Sequence, residues 1–405
     1  MGSMSEAISS GGSPCVACGG FPVNHRAMYF SKTLDCLGDD RAFALNKWPL
    51  FGRVANVIRR DVIIFVPYLI HALHAIYGRR TYTDPSHVDM NRAKAIWEEA
   101  TRRGIKMEQL TLFGRPIDSY RAYLNDRWIY FESLPIPPCM LARAIPYIDD
   151  KFLFKKFLKQ NLIPTAPFAI ATNLRDARIA LKDLHMPVVT KPRIGSNSRH
   201  TTKFIKTDAE FEAAFRSAQQ LCRYVLFEEH LNGHVCRATV VNGTLVGFLE
   251  TRQPTVTGDG LRTLCELIDE KSAHHREGVS DVVIAGENEA YIQRQGFALD
   301  SIPEKGAVIE IGRFGGRSSG GETREMPGEI HPKLREYVEK AARLMRVPLV
   351  GFDLIIPDPE SDPDAQKWGI LEANTVPFIE IHNDPLEGKP SNVAAAVWDL
   401  WEVKV

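Results

Sequence analysis

Three polar side chains near the C-terminus are candidates for holding a metal ion. Two strand patterns, at residues 349–356 and 368–374, flank a polar loop that is broken by prolines. If the strands pair about the middle of this loop, Asp353 lies opposite Glu372, and the two carboxylates repel each other unless a cation lies between them. Asn374 is two residues beyond Glu372, so both side chains leave the same face. Two carboxylates and an amide oxygen suit Mg²⁺, and the alternative is a surface hairpin with chance acidic residues.

Basic side chains elsewhere are candidates for binding an anion. Lys191 ends an apolar strand pattern and precedes a loop of small residues, 195–198, whose backbone N–H groups could cradle phosphate. The loop is not a Walker A sequence, and an ordinary strand-end lysine is the alternative. A second cation is expected among four lysines of one helix pattern, which spacing does not separate: Lys151, Lys155, Lys156 and Lys159.

Two arginines lie in a glycine-rich segment, 312–321, that follows a strand pattern. Such a segment could bring the guanidinium groups of Arg313 and Arg317 to an anion. A mobile basic loop is the alternative reading of the same residues.

Alternating helix and strand patterns must position these side chains. A helix pattern at 93–100 and strand patterns at 107–112 and 128–131 predict a small α/β domain, which ends at the prolines of 135–138. A larger α/β unit is predicted from Asp150 onward. Its expected elements are helices at 151–160, 174–184, 207–221 and 334–344, strands at 168–171, 186–191, 224–228 and 308–311, and a hairpin of 235–241 with 244–250 around the type I′ turn signal Asn242-Gly243.

The composition limits the classes of partner. Lysine plus arginine and aspartate plus glutamate both number 50 in the 405 residues, so no global field attracts nucleic acid or acidic lipid. The length suffices for two or three domains. Seven cysteines, an odd number, favour a reducing cytoplasm over a disulfide framework. Cys15 and Cys18 form a CxxC pair, but a zinc or redox role would need two more ligands or a thioredoxin-like context, and neither is evident.

The first 85 residues match no pattern of known function. Residues 1–25 are rich in Gly and Ser, begin with an expected tag, and are predicted to be disordered. The apolar run at 62–77 is shorter than a bilayer span and contains Pro67. It is expected to form a buried helix, or one that packs in a homodimer. Arginines within 59–80 make a peripheral membrane contact the alternative.

Eight segments carry a resemblance to a known family, and their order and spacing agree with it. They are DKFLFKKFL (150–158), MPVVTKP (186–192), FEEHLNGHVCRATVVNGTLV (227–246), GDGLRTLCELID (258–269), RSSGGETREMPGEIHP (317–332), GFDLIIPD (351–358), LEANTVP (371–377) and EGKPSNVAAAVWDL (387–400). On these segments the chain resembles the ATP-grasp carboxylate–amine ligases, in particular the ATP-grasp domain of cyanophycin synthetase and of bifunctional glutathione synthetase.

The resemblance implies an α+β chain with the ATP-grasp fold, in which two α/β subdomains clasp ATP. A small α/β domain and a helical, partly disordered N-terminal extension would precede it. The implied divisions are 1–25, disordered or tag; 26–85, extension with the apolar helix; 86–149, small α/β domain; 150–226, first subdomain; and 227–405, second subdomain with the Mg²⁺ site.

The resemblance also implies roles at matching positions. Asp353, Glu372 and Asn374 would hold Mg²⁺, with two ions expected and Mn²⁺ able to substitute. The implied nucleotide-binding residues are Lys151, Lys191 and Ser196 toward the phosphates, and Phe227, Glu228, Glu229, Leu231 and Leu371 toward adenine. Three residues would be catalytic: Lys191, Arg237 toward phosphate or the acceptor carboxylate, and Arg313 at the transferred phosphoryl group or the tetrahedral intermediate.

The chain departs from the family pattern at three places. The loop after Lys191 has one glycine where relatives have several. Val235 stands where relatives have an acidic residue for the ribose hydroxyls, and His234 could substitute for it. Phe378 stands where relatives have glycine, next to the predicted metal site. An altered nucleotide or acceptor pocket is therefore expected.

The implied activity is ATP-dependent ligation of an amino-acid or peptide carboxylate to an amine through an acyl phosphate, giving an amide or peptide bond, ADP and phosphate. The partners would be small-molecule acids and amines, with no nucleic acid, and the location cytoplasmic. Segments 193–202 and 251–305 would act as lids that shield the acyl phosphate from water. The alternatives are an ATP-grasp kinase and a non-catalytic nucleotide-binding module.

Overall fold

Helices and sheets alternate along the part of the chain that the computed structural model describes: residues 15–18, 23–46, 68–78, 81–145, 147–195, 199–274, 279–312 and 315–402. The helices there are α1 His25–Asn46, α2 68–77, α3 Asn91–Arg102, α4 Pro138–Leu141, α5 Lys151–Gln160, α6 Leu174–Leu181, α7 Asp208–Gln219, α8 Leu264–Ala273, α9 Glu287–Arg294, α10 Pro332–Met345 and α11 Val393–Asp399. The strands are β1 Lys106–Leu112, β2 Arg115–Leu124, β3 Arg127–Glu132, β4 Phe168–Ala171, β5 Val188–Pro192, β6 Thr202–Ile205, β7 Val225–Glu229, β8 His234–Val241, β9 Thr244–Arg252, β10 Thr255–Thr257, β11 Val308–Glu310, β12 Glu322–Glu325, β13 Leu349–Ile356, β14 Gly369–Asn374 and β15 Glu387–Gly388.

The first sheet is an antiparallel meander of β1, β2 and β3, and α3 packs against it. Helix α3 buries Ala93, Ile96, Trp97 and Ala100, the spacing that the sequence predicts. Strand β2 was missed, because its polar residues hide the alternation that marks a half-buried strand. The apolar cluster under α3 extends to Trp398 of α11, so this sheet and the C-terminal helix share one core.

The second sheet has four antiparallel strands in the order β4-β7-β5-β6. Helices α6 and α7 cover one of its faces, with Phe211 and Phe215 in the core. Helix α7 begins with the predicted capping box, in which Thr207 and Glu210 bond each other's backbone N–H. Helix α6 ends three residues earlier than predicted, at Leu181.

The third sheet has six strands in the order β14-β13-β8-β9-β12-β15, and α10 packs on it. The hairpin of β8 and β9 is confirmed: Asn242 and Gly243 have φ values of 48° and 77°, as a type I′ turn requires. Helix α5 contributes Phe154 and Leu158 to the core of this sheet, and the ring of Phe154 stacks on Phe352. By its packing α5 therefore belongs with the six-stranded sheet, although it opens the predicted first subdomain. Strand β7 runs across the predicted 226/227 boundary.

The segment expected as the long lid has its own small core. Strands β10 and β11 pair, and α8 packs against them with Leu264 and Ile268. Ile292 of α9 joins the same cluster. The sequence also predicts a helix near residues 264–270; the structure confirms it as α8, which extends to Ala273.

The N-terminal helices lie on different sheets. Helix α1 packs against the four-stranded sheet, where Cys36 is 3.7 Å from Cys222 and Asp40 pairs with Arg193. Helix α2 lies on the meander, where His71 contacts Tyr130 and His74 contacts the carbonyl of residue 111. The outer face of α2 is exposed at Leu69, Leu73 and Ile76, so residues 68–77 are not buried within the chain, and packing of this helix in a homodimer stays a prediction.

Parts of the predicted N-terminal features lie outside the described residues. These include most of the segment 1–25 and the first half of the apolar run, 62–67. Among the helices that the structure describes, none combines the length and the apolar character needed to span a bilayer.

The junction between α3 and α11 depends on Glu99, a buried carboxylate. It accepts hydrogen bonds from Arg102, Arg103 and Asn392, the last across the junction at 3.0 Å. The bond from Arg102, with further help from Arg103 and Asn392, outweighs burial and lowers the pKa of Glu99 to about 2. Because the pKa of Glu99 is lower in the folded than in the unfolded chain, ionised Glu99 stabilises the fold at pH values above its ordinary pKa. This stabilisation is lost as the pH falls toward about 2.

We expect Glu99→Gln to lower the free energy of unfolding at neutral pH by about 1–3 kcal/mol, because Arg102 and Arg103 lose a charged partner that is held at a buried position. The deficit should shrink as the pH is lowered toward the acid range, where wild-type Glu99 is itself protonated. Urea unfolding of the wild type and the variant between neutral and acid pH measures this difference in free energy. The control is Glu402→Gln, which removes an exposed carboxylate 3.6 Å from Arg103 and should cost under about 0.5 kcal/mol. Equal deficits in the two variants would contradict the assignment.

Candidate functional site

A cleft of about 870 Å³ opens between the four-stranded and the six-stranded sheets. Strands β5 and β7 contribute to one wall, and β8, β13 and β14 contribute to the other. Residues predicted from distant segments of the sequence meet on its walls: Lys151, Lys191, Glu228, Glu229, Leu231, Arg237, Asp353, Leu371, Glu372 and Asn374. Residues predicted from strand register and residues predicted from the resemblance therefore meet at one place in the fold.

The predicted metal ligands face the cleft from β13 and β14. Asp353 lies directly opposite Glu372, as predicted, and Asn374 donates a 3.2 Å hydrogen bond from its amide to Asp353. The register shifts by one residue immediately after Asp353, at a β-bulge. Bulges re-aim side chains, and this one marks where the regular ladder gives way beside the carboxylate pair.

Burial makes it unfavourable for both carboxylates of this pair to be ionised at once when no cation is bound. Burial raises the pKa of Asp353 to about 7, and Glu372 adds to the increase while Arg237 opposes it. Burial also disfavours ionised Glu372, but Lys151 and Lys191 outweigh it and hold the pKa of Glu372 at about 2. The pair therefore carries one negative charge easily and a second only with help. A divalent cation between the two oxygens would supply that help.

The structure gives different positions to two of the four candidate lysines, Lys151 and Lys155. Lys151 reaches the cleft and lies 3.0 Å from Glu372. Lys155 is fully buried, 2.7 Å from Glu228, and donates to Thr165 at 2.8 Å. Of these two, only Lys151 is placed to meet a ligand in the cleft, since Lys155 is engaged in the interior.

Glu228 is the shared counter-ion of two lysines. Its carboxylate lies 2.5 Å from Lys191 and 2.7 Å from Lys155, and the residue is buried. Burial raises the pKa of Glu228, but the charges of Lys155 and Lys191 outweigh it, and the net shift is downward. The resemblance implied that Glu228 binds adenine. In the structure its carboxylate holds Lys191 at the wall of the cleft, which Glu228 also lines, and the adenine role stays a prediction.

Arg237 presents a guanidinium to the same space. Its Nε lies 2.7 Å from Asp353, and its buried Nη1 has no hydrogen-bond partner among the described residues. Gly351 makes room for it, because a Cβ at that position would lie 2.6 Å from Nη1 and 2.8 Å from Pro377. A buried, unpaired guanidinium nitrogen beside a cleft is suited to an anionic ligand.

Phe227 is a correction to the predicted adenine site. Its side chain is fully buried in the core of the four-stranded sheet, 5.2 Å from Phe211, and it does not line the cleft. Alternate residues of a strand face opposite sides, so Phe227 points away from the side on which Glu228 lies. Leu231 and Leu371 do line the cleft, as expected. Glu229 also borders it, but its carboxylate is held by Lys367 and the backbone N–H of His185.

The three departures from the family pattern have distinct positions. Val235 lines the cleft, whereas His234 lies 3.7 Å from Glu250 on a neighbouring pocket. Phe378 also lines the cleft, half-exposed, with the guanidinium of Arg92 over its ring at 5.6 Å. Arg313, Ser196 and the rest of the loop 196–198 lie outside the described residues.

Sequence reasoning missed several residues that border the cleft. Tyr291 comes from the segment 251–305 expected as a lid and hydrogen bonds to Glu310 of β11, and Lys203 comes from β6. Asp149 lies where α5 begins and accepts a 3.0 Å hydrogen bond from Thr375. Of these residues, Glu310 lies in a strand that the sequence predicts, but no sequence pattern places any of them at the site, and only the folded structure does so.

These features define the ATP-grasp class: a cleft between two sheets, a carboxylate pair on an antiparallel hairpin, and lysines facing it. The resemblance predicted from the sequence is confirmed, and the chain has the ATP-grasp fold. No family model matches the chain.

Cyanophycin synthetase of Trichormus variabilis is 28% identical over 321 residues, which is 76% of this chain and 34% of that protein. The glutathione biosynthesis bifunctional protein of Mannheimia succiniciproducens is 25% identical over 313 residues, covering 73% of this chain and 40% of the relative. Among solved structures, a bifunctional glutathione synthetase from Pasteurella multocida has a TM-score of 0.50 and 22% identity, covering 78% of this chain and 44% of that one. The chain thus spans well under half the length of these relatives.

The residues of the cleft fit ATP and Mg²⁺, the cofactors of ATP-grasp ligases. Asp353, Glu372 and Asn374 offer the oxygen ligands that Mg²⁺ prefers, and the strained charge of the pair gives a reason for a cation there. The unpaired Nη1 of Arg237 and the ammonium of Lys151 offer cationic partners for phosphate.

We expect Glu228→Gln to lower the free energy of unfolding by about 3–5 kcal/mol, because two buried lysines lose their counter-ion. Urea unfolding at neutral pH measures the loss. Glu212→Gln is the matched control, since Glu212 also pairs with two basic residues, at 2.6 and 2.7 Å, but on the exposed surface. It should cost under about 1 kcal/mol. A Glu228 variant as stable as the control would show that the lysines do not depend on this carboxylate.

We expect Gly351→Ala to weaken binding of Mg²⁺–ATP about tenfold, or about 1.4 kcal/mol, because the added methyl displaces Arg237. Isothermal titration calorimetry measures the affinity. Gly328→Ala is the control, because a Cβ at Gly328 meets nothing within 4 Å and should leave the affinity unchanged. Wild-type affinity in Gly351→Ala would exclude Arg237 from the nucleotide site.

Proposed function

We propose that this chain is an ATP-dependent ligase that joins an amino-acid or peptide carboxylate to an amine and releases ADP and phosphate. One observation carries the proposal: the carboxylate pair of Asp353 and Glu372 shares a single cleft with the cationic side chains of Lys151, Lys191 and Arg237. Opposed sets of anionic and cationic side chains suit a Mg²⁺-bound polyphosphate, which carries both kinds of charge.

In this proposal each residue has a role set by its position. Lys151 and Lys191 bind the phosphates of ATP from two sides of the cleft. Asp353, Glu372 and Asn374 hold Mg²⁺, which offsets negative charge on the phosphates when bound. Arg237 uses its free Nη1 to orient either the transferred phosphoryl group or the acceptor carboxylate. Arg313 keeps its predicted role at the developing oxyanion.

The proposed reaction requires the protein to position ATP and the two substrates, and it requires no covalent intermediate on a protein side chain. The carboxylate substrate is phosphorylated by ATP, and the amine then displaces phosphate at the acyl carbon. The acyl phosphate must be kept from water. Tyr291 of the lid segment and Glu310 of β11 border one side of the cleft, and Phe378 borders another. In this proposal Phe378 faces the acceptor, where its ring restricts the size of the acid or amine.

A non-catalytic nucleotide-binding module is the second candidate, and Val235 is the observation that favours it. This apolar side chain lines the cleft where an acidic residue would contact the ribose. The two proposals differ in one result. A ligase releases phosphate only when an acid and an amine are both present, whereas a binding module takes up ATP and never turns it over. A kinase would instead yield a phosphorylated acceptor.

The experiment is a phosphate-release assay over a panel of amino acids and dipeptides with amine partners, followed by mass spectrometry of the product. We expect release that requires both substrates, and a product heavier than the acid by the amine minus water. Tight ATP binding with no release across the panel would favour the module.

We expect Asp353→Asn to lower this turnover by about 10²–10³-fold, because the carboxylate pair loses half of its charge. The fold should be kept, since the substitution removes repulsion between Asp353 and Glu372, and thermal unfolding checks it. Asp358→Asn is the control: it lies on the same hairpin, outside the cleft, and should keep full activity. Unchanged turnover in Asp353→Asn at saturating Mg²⁺ would refute the metal assignment.

A further inference from the structure

Four side chains from three separate segments converge at the N-terminal end of α1. Cys15 and Cys18 belong to one short turn, His25 begins α1, and His200 lies in the loop between β5 and β6. One Sγ or ring nitrogen from each lies within 4.8 Å of all the others. We refer to these four residues as the Cys₂His₂ cluster. Sequence alone assigns no role to the CxxC pair, because His200 lies more than 180 residues away.

The hydrogen-bonding capacity of His200 does not account for this arrangement. Its Nδ1 lies 2.7 Å from the carbonyl oxygen of Ser217, which can only accept, so Nδ1 carries the proton. Nε2 of a neutral ring then has one lone pair and no hydrogen. It nevertheless has three close neighbours: Cys18 Sγ at 3.2 Å, His25 Nε2 at 3.2 Å and Cys15 Sγ at 3.6 Å. One lone pair cannot satisfy three hydrogen-bond donors.

A metal ion at the centre satisfies all four groups at once. Tetrahedral Zn²⁺ takes sulfur at about 2.3 Å and nitrogen at about 2.0–2.1 Å, which places neighbouring ligand atoms about 3.3–3.8 Å apart. Four of the distances between these ligand atoms, 3.2 to 3.6 Å, fall in or near that range, including 3.3 Å between Cys18 Sγ and His25 Nε2. Two thiolates and two imidazoles are a ligand set that selects zinc over harder cations.

The surroundings have the features of a structural metal site. The backbone of the CxxC turn closes on itself, with Cys18 N–H donating to Cys15 at 3.0 Å. His200 N–H donates to Ala17 at 3.2 Å, which ties the loop to the turn. The bond from His200 Nδ1 to Ser217 fixes the ring with Nε2 toward the cluster, as partners behind metal-ligating histidines do. Cys18 and His200 are both buried.

We infer that the Cys₂His₂ cluster binds one Zn²⁺ ion, which fastens the N-terminal segment to the four-stranded sheet. Four protein ligands leave no open position, so the ion is structural and not catalytic. Its place gives it a second effect. His200 closes the loop that follows Lys191, and Lys32 of α1 reaches the cleft beside Gly195 of that same loop. The ion thus holds both the end of the loop and the helix that covers its start.

The direct test is the metal content of the full-length chain, purified without chelators and measured by inductively coupled plasma mass spectrometry. We expect about one zinc per chain in the wild type and none above background in Cys18→Ser and in His200→Ala. Cys139→Ser and Cys265→Ser are the controls, because both of these cysteines are exposed and lie outside the cluster. They should retain the zinc. A wild-type chain without zinc, even after expression with added zinc, would overturn the inference.

A second measurement covers variants that fail to fold. Wild-type protein is exchanged into Co²⁺, whose visible absorption reports tetrahedral coordination with thiolate ligands. We expect that signature in the wild type and in the control variants. Octahedral cobalt without thiolate absorption, or a Cys15–Cys18 disulfide found by mass spectrometry in freshly purified protein, would exclude the site.

The effect on the cleft is tested separately and rests on the proposed function. Zinc is removed with a chelator, Mg²⁺ is restored, and binding of Mg²⁺–ATP is measured. We expect severalfold weaker binding and a lower melting temperature, both reversed by added Zn²⁺, and no response to the chelator in Cys18→Ser. Zinc present in stoichiometric amount but without effect on nucleotide affinity would confine the ion to a role in folding. The zinc content itself does not depend on whether the chain is a ligase.

Discussion

Two carboxylates held face to face across β13 and β14 set the main constraint on this molecule. Asp353 and Glu372 are adjacent because of strand register. Both carboxylates are poorly solvated at the cleft wall, so their negative charges are little screened by water. Positive charge must therefore be brought to them. Lys151 supplies it from α5 and Arg237 from β8, each within 3.0 Å of one carboxylate. Gly351 lies beside them, and its lack of a side chain leaves room for the guanidinium of Arg237.

The pairing of opposite charges continues behind the wall of the cleft. Lys191 needs a partner that keeps it at the cleft wall, and Glu228 provides it while also holding the fully buried Lys155. Charges thus alternate in sign from the cleft toward the interior, and each ion is held by the next. Removing a buried member leaves its neighbours uncompensated. The site and the stability of the sheets around it are consequently not independent properties of this chain.

Local patterns predicted the features that depend on neighbours in sequence. The Asp353–Glu372 pairing followed from counting residues about a loop, the type I′ turn from Asn242-Gly243, and the start of α7 from its capping box. Phe227 was misplaced because every residue of β7 is buried, so the sequence offers no polar alternation from which to read the inward face. The resemblance pointed to Lys151 among the four lysines, but spacing could not.

Features that depend on distant contacts could not be predicted. The partner of the CxxC turn is His200, and no local pattern connects them. The dual role of Glu228 depends on α5 and β5 meeting the same strand. The packing of α5 on the six-stranded sheet was also hidden, because an amphipathic helix shows which face is apolar but not which sheet that face will cover.

The shared core of α3, α11 and the three-stranded meander has a mechanical consequence. Because this core also includes Val241 and Leu349, the meander is fused to the six-stranded sheet, and α5 is fused to it through Phe154. A change in the width of the cleft would therefore have to move the four-stranded sheet relative to this fused body, and α1 touches both, since its Asp40 pairs with Arg193 and its Phe43 packs on Tyr147. Two buried ion pairs join these parts, Lys155 with Glu228 and Asp150 with Arg193. Separating the two sheets would leave buried charges without partners, so these ion pairs oppose separation.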